Sequence, residues 1–562
     1  MKQAIKYIND MQVKGLLWFL PLTLFLFACH NKRSSSKQVF RYNEASNIAT
    51  LDPAFSKNQS IIWAVHQVFN TLVETDSNLN IVPSLAWRWH ISDDRLRYTF
   101  YLRQDVFFHD NDAFKEGKGR KMTAHDVEYS FKRIIDKKTA SSGAWIFNTR
   151  IDTVNPFHAV NDSVFELTLI RPFTPLPGLL SMQYCSIVPH EVVEKYGKDF
   201  RSHPCGTGPF RFKSWEEGQS LILLKNENYF EKDQAGNRLP YLDAIQTTFF
   251  NNKATEFLMF RQGKLDFIND IDASFKDEIL SKKGELKQEW QGKITLSKHP
   301  YLNTEYLGIL VDTSNTLVKN TPLSRKKVRQ AINYGFDRNK MMMYLRNSIG
   351  IPAHSGFVPK GLPSFDEFSV EGYTYHPALA RHLLKEAGYP DGKNLPVIRL
   401  FTISVYAELA SFIAKELETI GINIQVEVIQ KGLLLEQTAK SQAPFFRASW
   451  IADYPDAENY LSVFYSKNPA PPNYTRYHNP VYDQLYEKAL SLTDDSARIH
   501  LYREMDRLII QDAPVVPLWY DEVIRLVQPH LTGFTANGLN LLEVRHVKKK
   551  MNGVIYNQKI IK

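Results

Sequence analysis

Apolar positions gather first in a nearly unbroken run, GLLWFLPLTLFLFA, at residues 15–28. Beyond it they recur with two different periods. RLRYTFYLR (95–103) has a period of two and predicts a strand with one buried face. TAHDVEYSFKRII (123–135) has the helical period: Ala124, Val127, Phe131 and Ile134 line one face, and Thr123 with Asp126 forms a capping box at its start. GTGPFRFKSWEEGQSLILLKNENYF (206–230) reads as two strands joined at EEG. PALARHLLKEAG (377–388) reads as a helix with Pro377 near its first position and Gly388 at its stop. INIQVEVIQ (422–430) alternates like a strand, and ARIHLYREMDRLIIQD (497–512) is an amphipathic helix. Residues 38–104 read mainly as strands with turns. Strands and helices alternate irregularly, with no repeat of 20–50 residues and no long low-complexity linker. The pattern predicts α/β domains built from interleaved segments.

The first apolar run is a targeting segment. Lys2, Lys6 and Lys14 precede it, and fourteen residues are too few for a bilayer-spanning helix but suit a signal peptide. It ends in LFAC, Leu26 to Cys29, which looks like a bacterial lipobox with Cys29 as the lipidated first residue of the exported chain. A plain signal peptide cut nearby and a short membrane anchor are the alternatives. NKRSSSK follows as a polar tether, so residues 1–28 read as signal peptide and 29–37 as lipidated tether.

The chain has 562 residues, too many for one compact core, with an ordinary balance of 43% hydrophobic and 23% charged residues. Aromatics, at 13%, suit large contact surfaces. The formal charge is +9; the three lysines and one aspartate of residues 1–28 account for +2, which leaves +7 on the exported chain. The basic residues are dispersed except in VRHVKKK near the end, and export argues against a nucleic-acid partner. If Cys29 is lipidated, Cys185 and Cys205 remain as the one candidate disulfide pair in an oxidising compartment.

Catalytic chemistry has no signature here. CGTGPF contains G-x-G but lacks the G-K-[ST] of a phosphate loop and reads as a tight strand entry. H-E-x-x-H, G-x-S-x-G and C-x-x-C do not occur, the sixteen histidines are scattered, and DYPDAE lacks the ligand alternation and central glycine of a calcium loop. The expectation is a protein that is not an enzyme, with no catalytic residues, metal or cofactor.

Several stretches together resemble the family 5 solute-binding proteins, the extracytoplasmic receptors of peptide ABC importers. They are IVPSLAWRWHISDDRLRYTFYLRQDVFFHDN (81–111), MTAHDVEYSFKRI, PCGTGPFRFKSW, LPYLDAI, VRQAINYGFDRNKM (328–341), ARHLLKEAGYPDG, SWIADYPDAENYL (449–461) and RYHNPVYDQL. Their order is more specific than any one of them, and the resemblance covers about residues 38–547. It implies a two-lobed α/β periplasmic-binding-protein fold of type II, with an extra domain inserted in the first lobe. The implied segments are 38–72, 204–300 and 522–562 for the first lobe, 73–203 for the inserted domain and 301–521 for the second lobe, with crossings near 300 and 521.

The resemblance also assigns roles. In oligopeptide-binding members an Asp in an AD pair after a Trp binds the peptide's α-ammonium, and that position is Asp453, after Trp450. Asp456 and Glu458 then read as exposed or structural. Arg447 matches an Arg that helps hold a ligand carboxylate, with a structural salt bridge as the alternative. Two tyrosines of the first hinge strand fall on Tyr301 and Tyr306. There are departures: a family disulfide would join positions 303 and 451, which here are Asn303 and Ile451, and a cleft-flanking Trp falls near Gly432. The expected protein is a monomeric, lipid-anchored receptor on the periplasmic side of the envelope that captures peptides for an ABC permease and ATPase. The alternatives are a metal chelate, haem or sugar as ligand, or a role in signalling.

Overall fold

A computed structural model describes residues 37–152, 154–271 and 273–550. The leader, Cys29 and the tether up to residue 36 lie outside the described residues. The architecture is mixed α/β, dominated by an eleven-stranded sheet. Two long antiparallel strands at its centre, Thr295–Ile309 and Val515–Val527, organise everything else. Their pairing runs from Thr295 opposite Val527 to Gly308 opposite Val515, with an irregularity between Pro300 and Thr304. Proline lacks an amide donor, so a break in the ladder at Pro300 is expected.

The two strands serve different neighbours at their two ends. At one end Val515–Val527 pairs through residues 525–527 with Phe267–Asn269, and the sheet continues through Val39–Asn43, Ala244–Thr248, Ser220–Lys225 and Phe210–Glu216. At the other end Asn303–Ile309 pairs with Phe445–Ile451, and the sheet continues through Ile398–Thr402 to Ile424–Val428 at the edge. Residues 300–304 and 519–522 therefore join two halves of one sheet. A separate four-stranded sheet is made by Ala86–Ile91, Arg97–Leu102, Val164–Thr168 and Phe157–Asn161. Its inner face, with Tyr98, Phe100 and Phe165, shares one hydrophobic cluster with Phe40 and Tyr42 of the large sheet.

Local rules explain these elements. Arg97–Leu102 buries alternate residues, Tyr98, Phe100 and Leu102. Ala124–Ile135 is a helix whose first turn is closed by the Asp126 carboxylate accepting from the Thr123 amide at 2.8 Å, and it buries Ala124, Val127, Phe131 and Ile134. The helix Asp495–Asp512 starts two residues before the sequence pattern places it, because Asp494 caps the amides of Ser496 and Ala497. One stretch departs from the expectation of mainly strands with turns. Within residues 38–104, which read as strands, Gln59–Val68 is a helix. Its IIWAV run is apolar on nearly every position, a pattern that a buried helix and a buried strand share.

The G-x-G of CGTGPF belongs to that helix as well. The Gly208 amide donates to the Val68 carbonyl at 2.9 Å, and a Cβ on Gly206 would fall 2.2 Å from that same oxygen. Glycine here permits close backbone approach at a helix end rather than phosphate binding. Cys185 and Cys205 are both free thiols in the structure, so the candidate disulfide is not formed. They are held in different places: the Cys185 thiol faces the Leu179 carbonyl at 3.6 Å, and that of Cys205 the His109 carbonyl at 3.3 Å. Burial pushes both thiols up, away from the reactive thiolate.

Candidate ligand-binding site

A cavity of about 350 Å³ lies beside the junction of the two sheet halves. Its wall is assembled from distant segments: Ser56, Lys57, Gln59, Ile62 and Trp63, then Thr75, Trp145, Ser181 to Tyr184, Tyr301, Ile451 to Asp453, and Leu539 with Leu541. The size falls in the roughly 300–1,000 Å³ range of small-molecule sites. Trp63 is fixed by its indole N–H, which donates to the Asn540 carbonyl at 2.8 Å. Tyr301 presents its ring to the cavity, and burial pushes its hydroxyl up to about 12.

Asp453 is the acidic side chain of this wall. It follows the strand Phe445–Ile451 directly, so the ladder with Asn303–Ile309 sets its position. Its surface is open to the cavity, yet protein encloses the group on most sides. That desolvation raises its pKa above the usual 3.8, opposed only by a side-chain hydrogen bond from Asn459. Among the described residues no cation pairs with it. Asn459 is the organiser of the loop: its Oδ1 accepts from the Trp450 indole at 3.0 Å and from the Asp453 amide at 3.3 Å, and its Nδ2 reaches Asp453 Oδ2 at 3.5 Å.

The other two acids of SWIADYPDAENYL are internal to the protein. Asp456 forms an ion pair with Arg498 at 2.6 Å. Glu458 is 2% exposed and accepts hydrogen bonds from the hydroxyls of Tyr454 and Tyr486. Three carboxylates within six residues thus have three environments, and only one faces open space.

The remaining expected contacts separate in the same way. Tyr301 is on the cavity wall, whereas Tyr306 is fully buried against Phe357, with ring centroids 5.0 Å apart. Trp450 is spent on Asn459 and does not line the cavity. Arg447 is also off the wall. It pairs with Glu305 and lies 3.6 Å over the Tyr406 ring. Glu305 is 3% exposed; burial raises its pKa and Arg447 opposes that rise. Asn303 extends the cluster by donating at 3.2 Å to both Glu305 and Asp521, and Arg346 closes it with a 3.1 Å pair to Asp521. The positions 303 and 451 that a disulfide would join are still ladder partners, held by strand pairing and this polar network.

A second cavity, about 270 Å³, shares Thr75 and Leu541 with the first. Its one arginine is already engaged: Arg545 pairs with Glu74 at 2.8 Å and Glu543 at 3.0 Å on the wall, and with Glu231 at 2.9 Å. No group of three or more His, Cys, Asp or Glu among the described residues is placed to hold a metal ion.

Comparison with known proteins places this architecture. The sequence model of the bacterial extracellular solute-binding proteins, family 5 Middle, matches residues 80–472. Heme-binding protein A of Haemophilus influenzae is 28% identical over 559 residues, covering 93% of this chain and 97% of that one. Glutathione-binding protein GsiB of Salmonella typhi is 27% identical over 500 residues, covering 87% and 90%. Among solved structures, the ABC transporter-associated periplasmic binding protein DppA of Helicobacter pylori, in complex with peptide STSA, superposes with a TM-score of 0.72 at 26% identity, covering 92% of this chain and all of that one. HbpA2 of Haemophilus parasuis superposes with a TM-score of 0.80 at 23% identity over 91% of this chain and all of that one, which speaks to the fold alone. The fold is the type II periplasmic-binding-protein fold. The family consists of extracytoplasmic binding receptors rather than enzymes. With its family model matched over well more than half its length, the chain belongs to the bacterial extracellular solute-binding proteins of family 5, the solute receptors of ABC importers.

Proposed function

We propose that the protein is a lipid-anchored monomer that captures short peptides around Asp453 and delivers them to an ABC transporter permease and its ATPase. One observation carries the ligand class: a carboxylate on the wall of a cavity, with no cationic partner among the described residues and a raised pKa. A ligand ammonium entering that space neutralises the charge, and exclusion of water strengthens the pair. The peptide bound in the Helicobacter pylori DppA and the glutathione of the GsiB name support this chemistry, since both ligands carry a free ammonium group.

In this reading residues 38–72, 204–300 and 522–562 form the first lobe, with 73–203 inserted, and 301–521 form the second. Closure bends the two long strands at 300–304 and 519–522. Cys29 carries the lipid, so Cys29→Ser releases the protein from membranes. Persistence of that variant in the membrane fraction after a carbonate wash removes the anchor from the proposal. The ligand class is tested by native mass spectrometry of protein purified from the cell envelope. The expected result is a retained population of peptide masses. A retained haem, metal chelate or sugar contradicts the proposal.

A further inference from the structure

Asp453 and Lys57 are the only acidic and the only basic side chains on the described wall of the cavity. Lys57 is exposed to that space and pairs with no carboxylate among the described residues. The nearest acid in sequence, Asp52, is occupied elsewhere: its oxygens take Arg133 at 2.5 and 2.8 Å and the Ala54 amide at 3.0 Å. Arg447, the residue expected to meet a ligand carboxylate, is neutralised by Glu305. The positive charge available to a ligand is therefore that of Lys57.

Lys57 does not stand alone. It lies one residue before the N-cap Asn58 of the ten-residue helix Gln59–Val68, whose Gln59, Ile62 and Trp63 also line the cavity. Asn58 at the helix start is extended and makes no side-chain cap bond. First-turn amides that no cap covers, together with the positive end of the helix dipole, favour an anion. A buried hydroxyl on the wall, that of Ser56, supports the same reading, while Ser60 lies in the first turn off the wall. Ser56, on the wall, is 1% exposed and Ser60, in the first turn, is 4% exposed, and neither Oγ has a hydrogen-bond partner. Buried polar groups are rarely left without a partner unless one arrives with a ligand or water.

We propose that Ser56, Lys57 and the start of the helix Gln59–Val68 form a carboxylate subsite, which receives the carboxyl end of the peptide held at its amino end by Asp453. This rests on the peptide reading above and adds to it: both charges of a short zwitterion are read, and peptides with a blocked carboxyl end are rejected. The carboxyl function is taken by a segment of the first hundred residues, far in sequence from the Arg447 position where the family resemblance puts it.

Calorimetry on the full exported protein tests this with Ala-Ala-Ala and Ser-Thr-Ser-Ala, each as free acid, carboxyl amide and N-acetylated form. Against the unaltered protein the amides are expected to bind about tenfold more weakly than the acids, the scale of a lost hydrogen bond to a charged group. Lys57→Met should weaken the acids by a similar factor and make acid and amide equal, whereas Lys57→Arg should retain most of the discrimination. Because Lys57 is exposed, its variants are expected to melt like the parent. If acid and amide bind equally to the unaltered protein while the acetylated forms fail, the carboxylate subsite is wrong and the peptide reading stands. If Lys57→Met still discriminates fully, the subsite is likewise wrong. If none of the free peptides binds, both fall together.

Discussion

Two charged regions flank the junction between the sheet halves, and they are built on opposite principles. At 303–305, 447 and 521, every charge has an internal partner: Glu305 with Arg447, and Asp521 with Arg346, linked through Asn303. At 453 and 57 the charges meet no opposite charge among the described residues and face a common cavity. The difference teaches where to look for ligand contacts in such a protein. A paired buried ion is a structural element, strongly missed only when one partner is removed. An unpaired ion held partly away from water, as Asp453 is, is costly to the folded state alone, and a ligand of opposite charge removes that cost.

The largest expected effect is on the paired side. Arg447→Met leaves Glu305 buried without its cation, and the expected loss of folding stability is about 3–5 kcal/mol. Denaturant unfolding measures it. A variant as stable as the parent means that Arg447 is not needed by Glu305 and is free for a ligand after all. On the unpaired side, Asp453→Asn keeps shape and removes charge. Losing one member of a buried charge pair costs about 2–5 kcal/mol, so peptide affinity should fall roughly 30-fold or more. Stability without ligand should not fall, because no buried cation loses its partner and an amide oxygen at 453 can still accept from Asn459.

The pH dependence sharpens the contrast. Desolvation holds the folded pKa of Asp453 above its unfolded value. Its contribution to stability is therefore present below the unfolded pKa, near 3.8, and is lost as pH rises through the folded value. Binding runs the other way, since an ammonium ligand selects the ionised carboxylate. Affinity should decline as pH falls through that raised pKa, earlier than for an ordinary aspartate, with a proton released on binding within that window. Titrations in buffers of different ionisation enthalpy read this release, and Asp453→Asn should abolish it. The smallest effect is expected for Asn459→Ala, which frees the Asp453 and Trp450 loop while leaving both charges. Affinity should drop severalfold, the scale of a hydrogen bond or two, with the acetylation preference retained.

Much of the fold was legible in local patterns. The alternation in 95–103, the capping box of Thr123 and Asp126 and the Pro377 to Gly388 frame each signal an element through nearest-neighbour physics, and each element is present. The helix Gln59–Val68 was not legible, because a run buried nearly all round has no period to read. In the site, Asp453 and Tyr301, which the family resemblance singles out, line the cavity, and their contact with a ligand stays a proposal. The salt bridge given as the alternative for Arg447 is the one formed, but its partner was hidden, since Glu305 lies 142 residues away. Asn459 carries no signal in the sequence, because a neutral amide shows its role only through its three contacts in the fold. Lys57 and Ser56 were masked by the missed helix that gives them their setting.

The most direct test of Asp453 as the reader of an amino terminus is a calorimetric titration of one peptide with a free and an acetylated amino end, against the unaltered protein and Asp453→Asn. Tight binding of the free peptide to the unaltered protein, with weak binding in the other three combinations, is the predicted result. Equal affinity of the two peptides for the unaltered protein would contradict it, and would mean that the unpaired carboxylate of Asp453 holds something other than a peptide's ammonium group.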